Sequence, residues 1–214
     1  MAQRVLIMTA VEAEAEAIGR PSGTFVVAGG IGRTNAAAST MSALLRNGPF
    51  HWIVNIGVAG ACKESGLTIG DVVVGSESVY MEEGLQTPEG FQTIDMMGFS
   101  LGNFEGNRIP ADALMLEQCK NLGTTGPIAT VATCSGTDEL AQQVSERTGA
   151  IAEAMEGAAV LHVAKQMNTP AIEIRVISNI TGNRNEQVWN LSLALQKISE
   201  MTEQVIQSLW NASE

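Results

Sequence analysis

Short apolar runs alternate with Ala-rich, helix-patterned segments along most of this chain, with glycines at many of the joins, and that alternation limits the folds open to it. Arg4 to Thr9 (RVLIMT) reads as a buried strand, and the AVEAEAEAIG that follows opens a helix with acids in its first turn before Gly19, Arg20 and Pro21 stop it. Thr24 to Ala28 is a second strand; Gly29, Gly30 and Gly32 then lead into a helix over Thr34 to Arg46, closed by Asn47, Gly48 and Pro49. Trp52 to Ile56 is a third strand, after which Gly57, Val58, Ala59 and Gly60 suggest backbone that approaches a ligand closely. A strand over Asp71 to Tyr80, a helix at 111–121, a strand at 127–134 and a helix near 138–147 continue the pattern. Such a chain builds an α/β sheet with helices on both faces, while the order of its strands stays open.

Residues 81–109 carry no convincing period and read as a long functional loop or lid. From Glu186 to Leu209, apolar residues at Val188, Leu191, Leu195, Ile198, Val205 and Leu209 fall at helical spacing and predict an amphipathic closing helix. No internal repeat or linker divides the chain, so residues 1–214 are expected to form a single domain.

Charge excludes one class of partner. The formal net charge is −11, whereas nucleic-acid binding needs clustered Lys and Arg. No apolar run reaches the ~18 residues of a membrane span, and the first residues lack the layout of a signal peptide. Three cysteines, Cys62, Cys119 and Cys134, give neither a disulfide framework nor a zinc pattern, which fits a cytoplasmic protein without a metal. Gly30 and Gly32 begin a dinucleotide fingerprint, but Asn35 stands where its third glycine belongs, so no cofactor is expected. There is no P-loop, HExxH or GxSxG; His162 falls mid-helix and Cys134 has no histidine near it in sequence, so both read as packing residues.

Carboxylates carry more information. Glu12, Glu14 and Glu16 read first as a solvated helix face from which one member could turn inward. Glu156 sits where the apolar run Ala150 to Ala154 gives way to a helical pattern, between Met155 and Gly157-Ala158-Ala159, too apolar a setting for a surface acid. It either caps its helix or, as a buried acceptor, takes hydrogen bonds from vicinal hydroxyls of a sugar. Ser178 and Asn179 close a further buried strand, Ala171 to Ile177. Both polar clusters fall at strand ends, where α/β sheets gather ligands.

TAVEAE after the first strand, GGIGRTNAA, NIGVAG followed by LTIGDVVV, ATCSGTDE, AEAMEGAA and IRVISN occur here together, and with them the chain resembles the nucleoside phosphorylase and nucleosidase superfamily over nearly its full length. That resemblance implies a three-layer α/β/α fold with a central mixed sheet, a small nucleoside substrate and a homodimer or higher homo-oligomer. The run ISNITGNRNEQVW and the TPEGF loop at 87–91 look most like the futalosine-hydrolysing branch rather than the methylthioadenosine nucleosidases. Purine nucleoside phosphorylase and a catalytically dead nucleoside-binding module are the other readings. Arg33 stands alone in the first glycine-rich turn, where a phosphorylase needs an arginine cluster, so water is the expected nucleophile.

By this resemblance Glu14 activates the attacking water, with Glu12 second choice, and Met155 and Glu156 hold the ribose. Gly57, Val58, Ala59 and Gly60, with Ser135, Gly136 and Thr137, line the sugar and base pocket. Asn179 departs from adenine-specific relatives, which carry Asp there. An amide cannot deliver a proton to N7, but its NH₂ can donate to N7 and O6 of a 6-oxopurine, which makes hypoxanthine the matched leaving group. Loop 81–109 is expected to close over the 5′ end of the nucleoside, with Phe91 and Arg184 contacting an aromatic, carboxylate-bearing extension; a subunit interface is the other reading of that loop.

Overall fold

The computed structural model describes residues 4–211, so the outermost residues of the expected 1–214 domain lie outside it. The chain order is β1 (Val5–Thr9), α1 (Glu12–Ile18), β2 (Thr24–Ala28), α2 (Arg33–Asn47), β3 (Trp52–Ala61), β4 (Val72–Tyr80), β5 (Gly84–Thr87), β6 (Gly90–Thr93) and β7 (Arg108–Pro110). It continues through α3 (Ala113–Cys119), β8 (Thr124–Thr130), α4 (Asp138–Thr148), β9 (Ala152–Ala154), α5 (Gly157–Gln166), β10 (Ala171–Ile180) and α6 (Leu191–Asn211).

The central sheet is mixed and runs β10-β4-β8-β9-β3-β1-β2, with β7 added to β4; β10 also pairs with β3, so five of its strands close into a ring. The closure depends on β3. Parallel β10 lies along almost all of it, from Ala171 opposite Ile53 to Ile180 opposite Ala61. The other edge of β3 is shared. Parallel β1 occupies Trp52 to Asn55, and antiparallel β9 takes only Gly60 and Ala61. Between these partners, residues 56–59 of β3 face an opening in the sheet. The glycine-rich GVAG segment expected to leave the strand therefore stays within it, because β10 satisfies its backbone from the opposite side.

Helices cover both sides. An apolar cluster with Val5, Ile7, Val54, Ile56, Ile172 and Ile174 packs against Ile18 of α1, Met115 and Cys119 of α3, and α6. A second, with Leu6, Met8 and Ile53, packs against Ala36 and Ala43 of α2 and Ala158, Val160, Leu161 and Ala164 of α5. Successive β1 residues thus enter opposite clusters, as a period of two requires. Continuous apolar runs in β1, β3 and β10 follow from burial on both faces.

Two expectations change. Region 81–109 contains the β5–β6 hairpin, with Gly84 paired to Thr93 and Thr87 to Gly90, and ends in β7. The closing helix begins at Leu191; Val188 is exposed and Trp189 is drawn into a backbone bridge with Asn179, which holds that stretch extended. Within α6, Ile198, Val205 and Leu209 of the predicted face are buried, joined by Ala194 and Met201, while Leu195 is half-buried and Leu191 exposed. Among the described residues no helix is long and apolar enough to cross a membrane.

Candidate active site

The opening along β3 leads into a cavity of about 460 Å³ walled by the carboxyl ends of β1, β3, β9 and β10. Glu14, Val58, Ala59, Ser135, Gly136, Met155, Glu156, Asn179 and Arg184 all line it. Sequence positions spread over more than 170 residues are thereby collected at one end of the sheet.

Glu14 is placed by its helix. It occupies the third position of α1, and Oε2 accepts from the N–H of Val11, the residue before the helix, at 3.2 Å and from Ala10 N at 2.9 Å. Oε1 accepts from Val58 N at 2.9 Å. Val58 lies in the gap between the two edge partners of β3, so its N–H is free to meet a side chain. Three backbone donors leave the carboxylate roughly one of its four lone-pair sites for a substrate or water. Glu12 and Glu16 are exposed on the opposite side of the same helix, so the run of acids divides into two solvated residues and one buried group.

Glu156 holds the N-cap position of α5, but its side chain makes no capping hydrogen bond. Its Oε1 accepts from Gly32 N at 3.0 Å, Oε2 accepts from Met155 N, and Oε2 also lies 3.3 Å from Nη2 of Arg175. The acid ties the glycine-rich turn before α2 to the strand end at Met155 while remaining on the cavity wall.

Arg175 is the centre that sequence reasoning missed. It is 1% exposed, and donates from Nε to Glu173 Oε1 at 2.8 Å and from Nη2 to Asn55 Oδ1 at 2.6 Å. Burial alone would lower its pKa, but the carboxylates of Glu173, Glu156 and Glu14 outweigh it and hold the guanidinium above its ordinary value. Glu173 is fully buried; burial raises its carboxyl despite Arg175 and a 2.5 Å hydrogen bond from Ser78 Oγ. Close packing of this cluster explains two glycines. A Cβ at Gly157 would overlap the Glu173 carboxylate, and one at Gly57 would come within 2.5 Å of Arg175 Nη1 and 2.7 Å of Glu14 Oε1. Gly57 thus lies directly behind the site. The available signal was Glu173 and Arg175 at i and i+2 in the apolar run AIEIRVIS, two charges on one face of a strand with no solvent face.

A second polar group lines another part of the wall. A register shift in β10 between Ile177 and Asn179 turns Asn179 into the cavity. Gln187 links it to the neighbouring segment, donating from Nε2 to Ser135 O at 3.0 Å and Gly182 O at 2.7 Å. Its Oε1 accepts the indole N–H of Trp189 at 3.0 Å. Indole is a donor only, so this bond fixes the Gln187 amide, and Nδ2 of Asn179, 3.5 Å from the same oxygen, is the end that can face it. Asn179 Oδ1 in turn lies 2.9 Å from Ser178 Oγ. Arg184 donates to Gln187 Oε1 at 3.3 Å and stacks 4.6 Å from the Trp189 ring centre, so it joins the Asn179 group.

Phe91 is not brought to this cavity. It sits on β6 with the Arg147 guanidinium 3.9 Å from its ring centre and lines a separate cavity with Tyr80 and Phe104. The hairpin is held there by Arg147 of α4, which also donates to Gln86 Oε1 of β5 at 3.4 Å. Cys134, at the rim, and His162, on α5 beside Tyr80 and Phe104, make no nucleophile–base pair with one another.

The phosphorylase superfamily model matches residues 22–207. The chain belongs to the phosphorylase superfamily. Among superfamily relatives, a futalosine hydrolase of Streptomyces coelicolor is 29% identical, with 92% of each chain covered. One from Acidothermus cellulolyticus is 31% identical, covering 92% of this chain and 88% of the relative. The 5'-methylthioadenosine/S-adenosylhomocysteine nucleosidase of Neisseria meningitidis, solved with methylthio-immucillin-A, superposes with a TM-score of 0.79 at 21% identity, over 96% of this chain and 99% of that one. These matches bear out the expected α/β fold with its mixed sheet and make the chain an enzyme of the N-glycosyl hydrolase class.

Proposed function

We propose that this superfamily member hydrolyses the N-glycosidic bond of futalosine, releasing hypoxanthine and dehypoxanthine futalosine in menaquinone biosynthesis. Water held by the open lone pair of Glu14 attacks the anomeric carbon as the bond to the purine lengthens. Glu156 accepts from the 2′ and 3′ hydroxyls of the ribose, and Met155 packs beside them. Both carboxylates face the cation-like sugar of the transition state and stabilise its growing positive charge. The negative charge passing into the base is met by N–H groups of Asn179 at N7 and O6.

One observation supports the choice of base: an amide rather than a carboxyl lines the cavity at Asn179, its NH₂ turned toward Gln187 Oε1, 3.5 Å away, by the bond that fixes Gln187 to the Trp189 indole. A 6-oxopurine offers acceptors at both N7 and O6, whereas a 6-aminopurine presents a second donor that would meet this NH₂ unpaired. Water rather than phosphate is favoured because two nearby guanidiniums, of Arg33 and Arg175, are engaged by carboxylates. Arg33 Nη1 lies 2.6 Å from Glu83 Oε1 and 3.2 Å from Glu82 Oε2, and Arg175 is held by Glu173, Glu156 and Asn55. The futalosine hydrolase relatives, covered over most of their length, agree with this reading.

Purified protein should release base from futalosine faster than from aminodeoxyfutalosine, methylthioadenosine or inosine, at rates that added phosphate leaves unchanged. Preference for methylthioadenosine would move the assignment to the adenine nucleosidases. Strict phosphate dependence would move it to the phosphorylases.

A further inference from the structure

Arg175 brings a positive charge to the wall of the cavity in which the cation-like sugar has to form. Its Nη1 donates only weakly, to Val58 O at 3.4 Å. A Cβ on Gly57 would meet Arg175 Nη1 at 2.5 Å and Glu14 Oε1 at 2.7 Å, so the guanidinium and the water-holding carboxylate border the same spot. A bare guanidinium there repels positive charge growing on the sugar and cancels part of what Glu14 and Glu156 contribute.

Glu173 lies on the far side of that guanidinium. It is fully buried on β10 and is not among the described residues that line the cavity. Oε1 accepts from Arg175 Nε at 2.8 Å, and Oε2 accepts from Ser78 Oγ of β4 at 2.5 Å. The other end of the guanidinium is held by Asn55 of β3 and by Glu156 at the start of α5. Gly157 leaves the carboxylate its room, since a Cβ there would overlap it. A buried acid is costly, and an apolar residue in this strand would fold at lower cost. Its place directly behind Arg175 points to a task in the reaction.

Resting on the proposed hydrolysis through a cation-like sugar, we infer that Glu173 is a positioning residue that fixes the Arg175 guanidinium and cancels its charge, so that Glu14 and Glu156 present net negative charge to the forming cation. Arg175 and Glu173 act together as a neutral pair. Burial raises the Glu173 carboxyl, while Arg175 and Ser78 hold it down.

The test measures binding, by calorimetry, of two uncleavable nucleosides, 9-deazainosine and 9-deazaadenosine. Each is set beside its imino analogue, in which a protonated ring nitrogen replaces the ring oxygen. Wild type should bind the cationic member of at least one pair ~10-fold or more tightly than the neutral one, and parity in both pairs overturns the proposal. In Glu173→Gln the amide oxygen still accepts from Arg175 Nε and the NH₂ can meet Ser78 Oγ, but the charge is gone. One charge acting through an effective dielectric of ~20 corresponds to about 10- to 30-fold, so the preference for the cation should fall by about that factor. Affinity for the neutral nucleoside should hold within about 3-fold. A merely structural role weakens both members alike, so equal losses, or none, in a folded variant overturn the proposal. Should Glu173→Gln not fold, Ser78→Ala decides. With one hydrogen bond gone the Glu173 carboxylate is harder to ionise, so as pH falls the preference for the cation should be lost at a higher pH than in wild type; coincident profiles overturn the proposal. Futalosine turnover in the same preparations separates the two claims. Cleavage of futalosine with a cation preference indifferent to Glu173→Gln removes the role of Glu173 and leaves the function standing. A preference that depends on Glu173, without futalosine cleavage, keeps that role and overturns the choice of nucleoside.

Discussion

Replacing Glu14 by alanine should separate catalysis from binding. The carboxylate is held by three backbone N–H groups, of Ala10, Val11 and Val58, and touches no group assigned to the base. Loss of a general base costs ~10²- to 10⁴-fold in rate, or about 3–5 kcal/mol of transition-state stabilisation. KM should change little, because Glu156 and Asn179 keep their own partners. The three freed N–H groups border a cavity that water enters, so most of their hydrogen bonding is recovered and the stability loss should stay below about 2 kcal/mol. For a domain of this size that is a fall in Tm of no more than about 8 °C. Hypoxanthine release by chromatography at saturating substrate, with a melting curve on the same sample, measures both. Full turnover in Glu14→Ala would refute the assignment of the base. Glu12, the sequence alternative, is exposed and lines a different surface depression, so it has no route to take over.

Three further outcomes follow from the packing. Arg175→Met should destabilise the fold by about 3–5 kcal/mol in a denaturant titration, since it leaves Glu173 and Glu156 buried without their cation; a loss below about 1 kcal/mol would mean the cluster contributes little. Gly157→Ala should lower stability by at least about 1–3 kcal/mol, because its Cβ overlaps the Glu173 carboxylate, and a wild-type melting curve would contradict that packing. Burial pushes the Cys62 thiol up to about 12 and the Cys119 thiol up to about 11, so both stay neutral thiols well above pH 8. Alkylation at pH 8 should therefore label exposed Cys134 first, and reach the other two only after unfolding; rapid labelling of all three would count against the described core.

Much of the fold was legible because burial on both faces writes continuous apolar runs, as in RVLIMT and WIVNI, and helices between them write a different period. What could not be read is which strands meet. The pairing of β10 with β3 joins residues more than 110 positions apart, and the shared edge of β3 depends on β1 and β9 stopping short of one another. Neither leaves a local trace. The hairpin in 81–109 was missed for a related reason: its strands are four residues long and exposed or half-buried, too short and too polar for a period to show.

The site was half legible. Glu156 stood out by its apolar neighbours, and the buried member of the Glu12, Glu14 and Glu16 run was chosen by resemblance; the structure adds why, since only Glu14 can reach the unpaired N–H of Val58. Glu173 sits in a run read only as strand, where a second charge two residues on, at Arg175, signals a polar inward face. Phe91 shows the opposite failure: an aromatic in a glycine-rich loop suggested a ligand contact, and its partner is Arg147.

The most direct test of the central claim, that the amide of Asn179 selects a 6-oxopurine, is the ratio of kcat/KM for futalosine to that for aminodeoxyfutalosine in wild type and Asn179→Asp. The account predicts that futalosine leads in wild type and that the variant shifts by about 10-fold or more toward the 6-amino substrate, because a protonated carboxyl can supply N7 with the proton an amide withholds. The same ratio in both proteins would contradict it.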